Sequence, residues 1–266
     1  MQSESRFVLE NVYFGNEVIQ MYQLPSLSFN EACMSKKDGD NNDNTGLRIY
    51  LGCFCCIRLL QSENIKSLLL NKNVLELGAG AGALSLIGLR NIGVMSITIT
   101  DGNQSAVDLA KMNLELMQSI SKCQVHLLSW NENNDDFVKY NNNKKFDVVI
   151  ASDLMYYSTD VTELIRTVLL LTDGLFIHAH VFRRDGQKAE IIELLKKNGW
   201  STLQIPIISF ANSSELREHP DWYSTTCLLS ASEVLITKLL NDNMDWVLFQ
   251  EDEDNAETFN FSDFFE

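Results

Sequence analysis

The chain contains no long uncharged apolar stretch. No run of about 18 consecutive apolar residues occurs in its 266 residues, and Met1 to Glu10 show no apolar segment behind basic side chains. Both absences argue against membrane insertion and secretion. We therefore expect a protein of the cytoplasm or the nucleus that has no membrane partner.

Basic residues are also few. The chain has 21 lysines and arginines against 36 acidic residues, which gives a formal net charge of −15. Binding to a nucleic acid draws its affinity from basic side chains that neutralise phosphates, so no nucleic-acid partner is expected, and a basic protein surface is the better match. Part of the acidic excess lies in residues 251–266, which we interpret as a solvated acidic tail.

Motifs for metal binding and for serine hydrolysis are missing. The six cysteines form no pair of C-x-x-C motifs, and Cys53, Cys55 and Cys56 lie inside an apolar run where buried thiols are the ordinary interpretation. His178 and His180 would share one face of a strand, but the sequence offers no third ligand beside them. No metal site is therefore predicted. The absence of G-x-S-x-G also argues against a serine hydrolase.

Short apolar runs alternate with segments whose apolar residues recur at helical spacing. This alternation predicts an α/β fold in which a largely parallel sheet is covered by helices on both faces. The predicted strands are 73–77, 96–100, 124–128, 146–152 and 175–182, and the predicted helices are 105–117, 160–171 and 186–198.

The alternation stops after the last of these helices. Two later strands, 203–209 and 246–250, have no clean crossover helix between them, which predicts an antiparallel hairpin at one edge of the sheet. The intervening residues 210–243 are interpreted as an insertion with a helix at 232–240. The expected organisation is an N-terminal hairpin with a loose Asn/Asp-rich loop at 1–44, one α/β domain at 45–250, and the acidic tail at 251–266.

The most specific motif follows the strand at 73–77. It consists of Glu76, Gly78, Gly80 and Gly82 in the pattern acid-x-G-x-G-x-G, and a helix-like run comes next. A dinucleotide fingerprint reads G-x-G-x-x-G, whereas the position that would complete it here is an alanine. The motif therefore favours a nucleoside-bearing cofactor without a pyrophosphate at the turn. The alternative is a turn that is glycine-rich for packing alone.

Two further strand ends carry candidate binding residues. Asp101 ends the second strand, close to the offset of about 20 residues at which a doubly wound fold places an acid under a ribose, and Gly102 and Asn103 follow it. An acid that merely caps the next helix is the alternative. Trp130 follows the third strand and could face an adenine ring, although a packing tryptophan fits as well.

The fourth strand ends in Ser152 and Asp153, with Tyr156 three residues later. Ligands of open α/β sheets bind beyond the carboxyl ends of the strands, so these side chains are expected in the same crevice as Gly78 and Asp101. Tyr156 would line a channel there, and the alternatives are a packed aromatic side chain or replacement of its role by Tyr157.

These motifs together resemble a known family. The glycine run resembles motif I of the class I S-adenosylmethionine-dependent methyltransferases, and Asp153-x-x-Tyr156 resembles the DxxY motif of the seven-strand protein methyltransferases grouped as family 16. An N-terminal hairpin from Phe7 to Gln20, Thr45-Gly46 before an apolar helix, and Trp130 match further parts of that pattern.

The resemblance implies a fold. It is a Rossmann-like, seven-stranded, mostly parallel sheet with helices on both faces, an antiparallel C-terminal edge strand and an N-terminal β-hairpin. The resemblance also implies a protein N-methyltransferase that acts on lysine and uses S-adenosyl-L-methionine. The cofactor would be bound by Glu76, Gly78, Gly80, Gly82, Asp101, Gly102, Asn103, Trp130 and Ser152, while Asp153 orients the amine and Tyr156 hydrogen-bonds it.

The chain departs from the family where a tryptophan should follow Thr45-Gly46, since Ile49 and Tyr50 stand there instead. Two other functions remain as alternatives. One is methylation of a small molecule or a nucleic acid, which the acidic balance and the residues after Asp153 oppose, because Leu154 and Met155 stand where base-methylating enzymes have prolines. The other is a binding protein that keeps the fold without turnover.

Overall fold

The structure is a computed structural model that describes residues 6–14, 17–25, 44, 46–118, 122–130, 135–142 and 144–241. Within these residues no helix has the length and apolar character needed to cross a membrane. The elements form an α/β sheet domain with a separate two-stranded hairpin at its N-terminal end.

The hairpin consists of strands β1 (Val8–Phe14) and β2 (Glu17–Gln23), which pair antiparallel. The amide of Asn113 fixes the hairpin to the domain, because it accepts from the backbone N–H of Tyr22 at 2.6 Å and donates to the carbonyl of Tyr22 at 3.0 Å. The N-terminal hairpin predicted from the sequence is therefore confirmed.

The main sheet has seven strands in the order β5-β4-β3-β6-β7-β9-β8. They are β3 (Asn73–Leu77), β4 (Ser96–Asp101), β5 (Cys123–Leu127), β6 (Phe146–Ser152), β7 (Thr172–His180), β8 (Trp200–Ile205) and β9 (Thr226–Ser232). Strand β9 is antiparallel to both of its neighbours, whereas the pairings among β3 to β7 are parallel. The predicted fold class is confirmed, and the antiparallel strand lies one position in from the edge.

Eight helices accompany the described strands. They are α1 (Leu51–Leu60), α2 (Glu63–Leu69), α3 (Gln104–Met117), α4 (Asp135–Tyr140), α5 (Val161–Leu171), α6 (Gln187–Lys197), α7 (Ser213–Glu218) and α8 (Glu233–Asn241). A π-helical turn covers Leu84–Gly88. Side-chain caps define three of the starts, since Asn103 accepts from the N–H of Ser105 before α3, Asp160 accepts from the N–H of Glu163 before α5, and Asn212 forms a capping box before α7.

The sheet is buried on both faces. Along β6, Val148 and Ile150 belong to the core layer that holds α1 and α8, while Val149 and Ala151 belong to the layer that holds α5 and α6. Alternate residues of a strand point to opposite faces, so a strand covered on both sides needs apolar residues at nearly every position. This pattern explains why β6 is a continuous apolar run.

The expectation of an insertion at residues 210–243 is wrong. This segment supplies β9, which pairs with β7 and β8 inside the sheet. The seven apolar and small residues of β9 lead directly into α8, and a short apolar run next to a helix does not reveal its period. The strand predicted at 203–209 lies at Trp200–Ile205, and the strand predicted at 246–250 lies outside the described residues.

Candidate functional site

A cavity of about 610 Å³ opens at the carboxyl ends of β3, β4 and β6. Its volume falls in the range of small-molecule sites. Among the residues singled out from the sequence, it is lined by Gly78, Gly80, Asp101, Gly102, Asn103, Trp130, Ser152, Asp153 and Tyr156. Glu76 and Gly82 are not part of the lining. Segments far apart in the chain therefore converge on one crevice.

The glycine-rich turn after β3 forms one wall. Gly80 has φ of 56°, and a Cβ at this position would collide with the carbonyl oxygen of Gly46. Gly78 has φ of 59°, and a Cβ there would collide with the side chain of Leu154 and stand 3.2 Å from the Trp130 ring. Only glycine combines these dihedral angles with so close an approach, so the backbone itself lines the cavity.

Asp101 ties this turn to the end of β4. One carboxylate oxygen accepts from the N–H of Gly80 at 2.9 Å, and the other accepts from the N–H of Asn103 at 2.8 Å. The carboxylate thus holds the turn and the start of the next helix while it lines the cavity. The predicted alternative, in which Asp101 caps the next helix, does not describe the geometry, because the cap of α3 is the side chain of Asn103.

Asp153 is a buried side chain of the site, and both of its carboxylate oxygens are bonded. It has φ of 51° and is 3% exposed. One carboxylate oxygen accepts from the N–H of Gly52 at 2.5 Å, and the other accepts from the N–H of Val181 at 3.1 Å. Asp153 therefore joins the end of β6 to the start of α1 and to the end of β7.

Opposing effects act on the pKa of Asp153. Burial raises this pKa, whereas the N–H groups of Val181 and Gly52 and the positive charge of Arg183 act to lower it, with burial the larger effect. Both carboxylate oxygens are already bonded to backbone groups. These two bonds show that Asp153 holds backbone segments in place.

A pair of buried histidines supports the loop after Asp153. The N–H of Leu154 donates to Nδ1 of His180 at 3.2 Å, which places the proton of His180 on Nε2, where it donates to Nδ1 of His178 at 2.9 Å. Burial lowers the pKa of His180 to about 3 and lowers that of His178 as well. Both rings are therefore neutral structural groups.

Tyr156 lies at the mouth of the cavity and is half-buried. Its ring meets the ring of Tyr50 edge to face with 6.5 Å between centroids, and the guanidinium of Arg183 lies 4.8 Å from the ring centroid. The amide of Gln187 donates to the backbone carbonyl of Tyr156 at 2.9 Å. The tyrosine ring is thus held between an aromatic and a cationic neighbour.

Several lining residues were not proposed as site residues from the sequence, although Gly46 and Tyr50 were noted beside the family pattern. Gly46, Arg48 and Tyr50 form the wall that leads into α1, and Arg183 braces Tyr156 from the end of β7. Tyr50 occupies the place where the missing tryptophan was noted, so an aromatic ring is present at the mouth after all. The signal that could have indicated Arg183 is the pair of adjacent basic residues, Arg183 and Arg184, soon after β7.

The prediction that Glu76 and Gly82 contact the ligand is not supported by the geometry. Glu76 is buried behind the turn, where its carboxylate accepts from the N–H of Ser85 at 3.0 Å. A Cβ at Gly82 would contact Leu86 and Ala110, which lie in the core. Both residues shape the turn from behind.

We expect Glu76→Gln to change how stability depends on pH. Burial raises the pKa of Glu76 from 4.5 to about 8, so between these values the folded chain holds a proton that the unfolded chain has released. The stability that this bound proton contributes is fully present below pH 4.5 and is lost as pH rises through 8. The free energy of unfolding then falls by at most about 1.4 kcal/mol per pH unit. In urea unfolding at several pH values, the free energy of unfolding of the glutamine variant should therefore increase relative to that of the wild type as pH rises.

Glu115→Gln serves as the control for this experiment, because Glu115 is exposed on α3. It should leave the pH dependence as in the wild type. A stability difference between Glu76→Gln and wild type that stays constant from pH 5 to pH 8 would contradict the assignment.

Within the described part of the chain, no group of three or more histidine, cysteine, aspartate or glutamate side chains is arranged so that it could hold a metal ion. Cys53, Cys55, Cys56, Cys123 and Cys227 are free thiols. Burial is the largest of the effects that raise the pKa of Cys53, which lines the cavity, and of Cys56, so both thiols stay protonated. They act as small packing groups.

Comparison with known proteins gives the family context. A family model described as lysine methyltransferase matches residues 37–198, which is more than half of the chain. Over 138 residues the chain is 29% identical to the protein-lysine N-methyltransferase EFM3 of Chaetomium thermophilum, a match that covers 48% of this chain and 39% of that protein. Over 143 residues it is 29% identical to the calmodulin-lysine N-methyltransferase of Arabidopsis thaliana, covering 49% of this chain and 42% of that protein.

Among solved structures, the T. thermophilus 16S rRNA methyltransferase in complex with AdoMet and guanosine superposes with a TM-score of 0.54. The identity is 13%, and the match covers 86% of this chain and 51% of that one. This likeness concerns the fold. The chain spans about two fifths of the length of the two curated relatives named above.

Proposed function

The chain belongs to the lysine methyltransferase family, and from this premise we propose that it transfers a methyl group from S-adenosyl-L-methionine to the side-chain amine of a lysine in a protein. The observation that carries the proposal is the meeting of two groups of residues in one cavity. The glycine turn held by Asp101 forms one side, and the segment from Asp153 to Tyr156 forms the other.

The residues of the cavity fit the cofactor. The turn at Gly78 and Gly80 lines the cavity with bare backbone, the carboxylate of Asp101 lines it as an acceptor suited to ribose hydroxyls, and the Trp130 ring lines it as a flat surface suited to an adenine. Gly102, Asn103 and Ser152 complete this wall. When bound, S-adenosyl-L-methionine supplies a methyl group that its sulfonium has already activated.

The protein's part is to present an uncharged amine and to exclude water. A lysine with a pKa of about 10.4 is mostly protonated near pH 7.4, which costs about 4 kcal/mol to reverse. Tyr50 and Tyr156 form an aromatic mouth in which the lysine stem loses water, and desolvation lowers the pKa of an amine. The cation of Arg183 beside Tyr156 disfavours an ammonium there as well.

Asp153 serves this proposal as a positioning group. Its bonds to Gly52 and Val181 set the start of α1, and hence Tyr50, against the loop that carries Tyr156. The Tyr156 hydroxyl is the side-chain group proposed to hydrogen-bond the amine. A protein substrate with a basic surface suits the net charge of −15, and residence in the cytoplasm or nucleus stays a prediction.

Two variants separate cofactor binding from transfer. Asp101→Ala removes the bonds that hold Gly80 and Asn103, so binding of S-adenosyl-L-methionine should fall at least about 30-fold, or about 2 kcal/mol. Tyr156→Phe keeps the ring contacts with Tyr50 and Arg183, so cofactor binding should stay while transfer falls. Titration calorimetry measures the first effect, and incorporation of labelled methyl into a methylation-depleted extract measures the second.

Ser209→Ala is the control variant, because Ser209 lies in a surface turn and its hydroxyl donates only to the carbonyl of Pro206. It should leave binding and transfer unchanged. Wild-type protein that does not bind S-adenosyl-L-methionine would overturn the proposal. Binding without any transfer to protein would favour the catalytically silent alternative, and label found in RNA would favour a nucleic-acid substrate.

A further inference from the structure

A second concavity of about 460 Å³ runs along the outer face of α1. The N-terminal hairpin forms one side with Tyr13 and Glu17, and the end of α7 with the turn that follows it forms the other side with Glu218 and Trp222. Tyr13 is 67% exposed, a large fraction for an aromatic side chain that is not at a chain end. We call this surface the α1 groove.

The α1 groove adjoins the cavity described above. Leu51, the first residue of α1, lines the groove, while the preceding residue Tyr50 lines the cavity and contacts Tyr156. A chain segment whose lysine enters past Tyr50 therefore reaches the α1 groove with its neighbouring residues.

The charge of the α1 groove is acidic. Its arginine, Arg58, is neutralised by a two-bond ion pair with Glu215 at 2.7 and 3.3 Å. The carboxylates of Glu17 and Glu218 have no ion pair within the described residues and are exposed. Two carboxylates without an ion pair thus flank an exposed aromatic side chain. Such a surface suits a peptide in which arginine or lysine stands next to apolar residues.

We propose that the α1 groove binds the basic, extended stretch of the protein substrate next to the target lysine. The inference rests on the proposed function, since it names the recognition surface for that reaction. Glu17 and Glu218 pair with basic residues of the substrate, and the exposed face of Tyr13 packs against their stems or an apolar neighbour.

The length of α1 sets how much substrate fits. Ten helical residues span about 15 Å, which equals about four to five residues of extended chain. Recognition should therefore depend on the residues within about five positions of the lysine on one side of it. Residues farther away should contribute little.

Fluorescence anisotropy with two labelled synthetic peptides tests the inference, with the full chain saturated with S-adenosylhomocysteine. Both peptides carry one central lysine. In the first peptide the lysine is flanked by arginine and phenylalanine, and in the second it is flanked by glutamate and phenylalanine. The wild type should bind the arginine peptide at least tenfold more tightly. Glu17→Lys combined with Glu218→Lys should weaken that binding at least tenfold, because each change replaces an attraction by a repulsion.

Asp108→Lys combined with Glu115→Lys is the matched control. Both residues are exposed on α3 and lie outside the α1 groove, and the change in net charge is the same. This control should retain at least a third of the wild-type affinity for the arginine peptide. Equal weakening by both double variants would show long-range attraction instead of a groove and would overturn the inference.

Other results also overturn it. These are failure of the wild type to bind the arginine peptide, no effect of the groove variant, or a concentration-dependent dimer in sedimentation that the groove variant abolishes. Calorimetric affinity for S-adenosyl-L-methionine on the same preparations reports on the proposed function separately. Loss of cofactor binding refutes that function, whereas intact cofactor binding without peptide binding refutes only the α1 groove assignment.

Discussion

Gly80→Ala is expected to abolish measurable binding of S-adenosyl-L-methionine. A Cβ at this position would collide with the carbonyl oxygen of Gly46, which is backbone and cannot rotate away as a side chain could. The turn must shift, and with it the N–H that Gly80 donates to Asp101 at 2.9 Å. We expect the affinity to fall at least about 100-fold, equivalent to about 2.7 kcal/mol, in titration calorimetry.

The same substitution also places alanine at φ of 56°, which costs about 1–2 kcal/mol by itself. Gly186→Ala controls for this effect, because Gly186 has φ of 82° and a Cβ there would meet nothing within 4 Å. It should reduce the free energy of unfolding by about 1–2 kcal/mol and leave cofactor affinity unchanged. Comparable loss of affinity in both variants would mean that general strain, and not the contact with Gly46, controls the site.

The close approach of Gly46 to Gly80 shows where sequence reasoning succeeds and where it ends. The three glycines after β3 predicted a tight turn, and the strands Asn73–Leu77 and Phe146–Ser152 have the predicted bounds, since buried parallel strands are apolar runs ended by turn residues. Which backbone lies against the turn is a tertiary contact. No local pattern reveals that Gly46 fills this position.

Glu76 illustrates a prediction that strand geometry could have corrected. Leu75 and Leu77 point into the core layer of α5 and α6, so Glu76 between them points to the other layer. Its carboxylate therefore lies beneath the π-helical turn and bonds the N–H of Ser85. The motif predicted a cofactor contact, whereas the alternation of the strand predicts burial.

Strand β9 was not predicted from the sequence for a different reason. Residues Thr226–Ser232 pair with β7, about fifty residues earlier in the chain, and only that pairing distinguishes them from the first turns of a helix. The two residues of the Tyr50 and Tyr156 pair lie still farther apart in the sequence. Contacts of this kind follow from the topology, which becomes available once the sheet order is known.

Asp153→Ala is expected to reduce the free energy of unfolding by about 3–6 kcal/mol and to abolish methyl transfer. The change leaves the buried N–H groups of Gly52 and Val181 without an acceptor, at about 1–3 kcal/mol each. It also places alanine at φ of 51°, a conformation that aspartate tolerates better. Urea unfolding measures the first effect, and incorporation of labelled methyl measures the second.

Asp153→Gly and Asp153→Asn divide this loss into its parts. Glycine removes the same acceptors and is not strained at φ of 51°. The difference in unfolding free energy between the glycine and alanine variants therefore measures the backbone strain of alanine. Asparagine tolerates this conformation and keeps one oxygen, but its NH₂ must face either Gly52 or Val181, so one of these donors loses its partner. The asparagine variant should therefore be the most stable of the three and should still bind S-adenosyl-L-methionine.

Activity of the asparagine variant decides what Asp153 does. If the carboxylate positions α1 against the Tyr156 loop, the lost bond displaces Tyr50, and kcat should fall at least tenfold with a pH profile of the same shape as in the wild type. A profile that loses one ionisation would show instead that Asp153 takes up a proton in the reaction. Wild-type kcat in this variant would contradict both roles, because the bonds to Gly52 and Val181 would then contribute to stability alone.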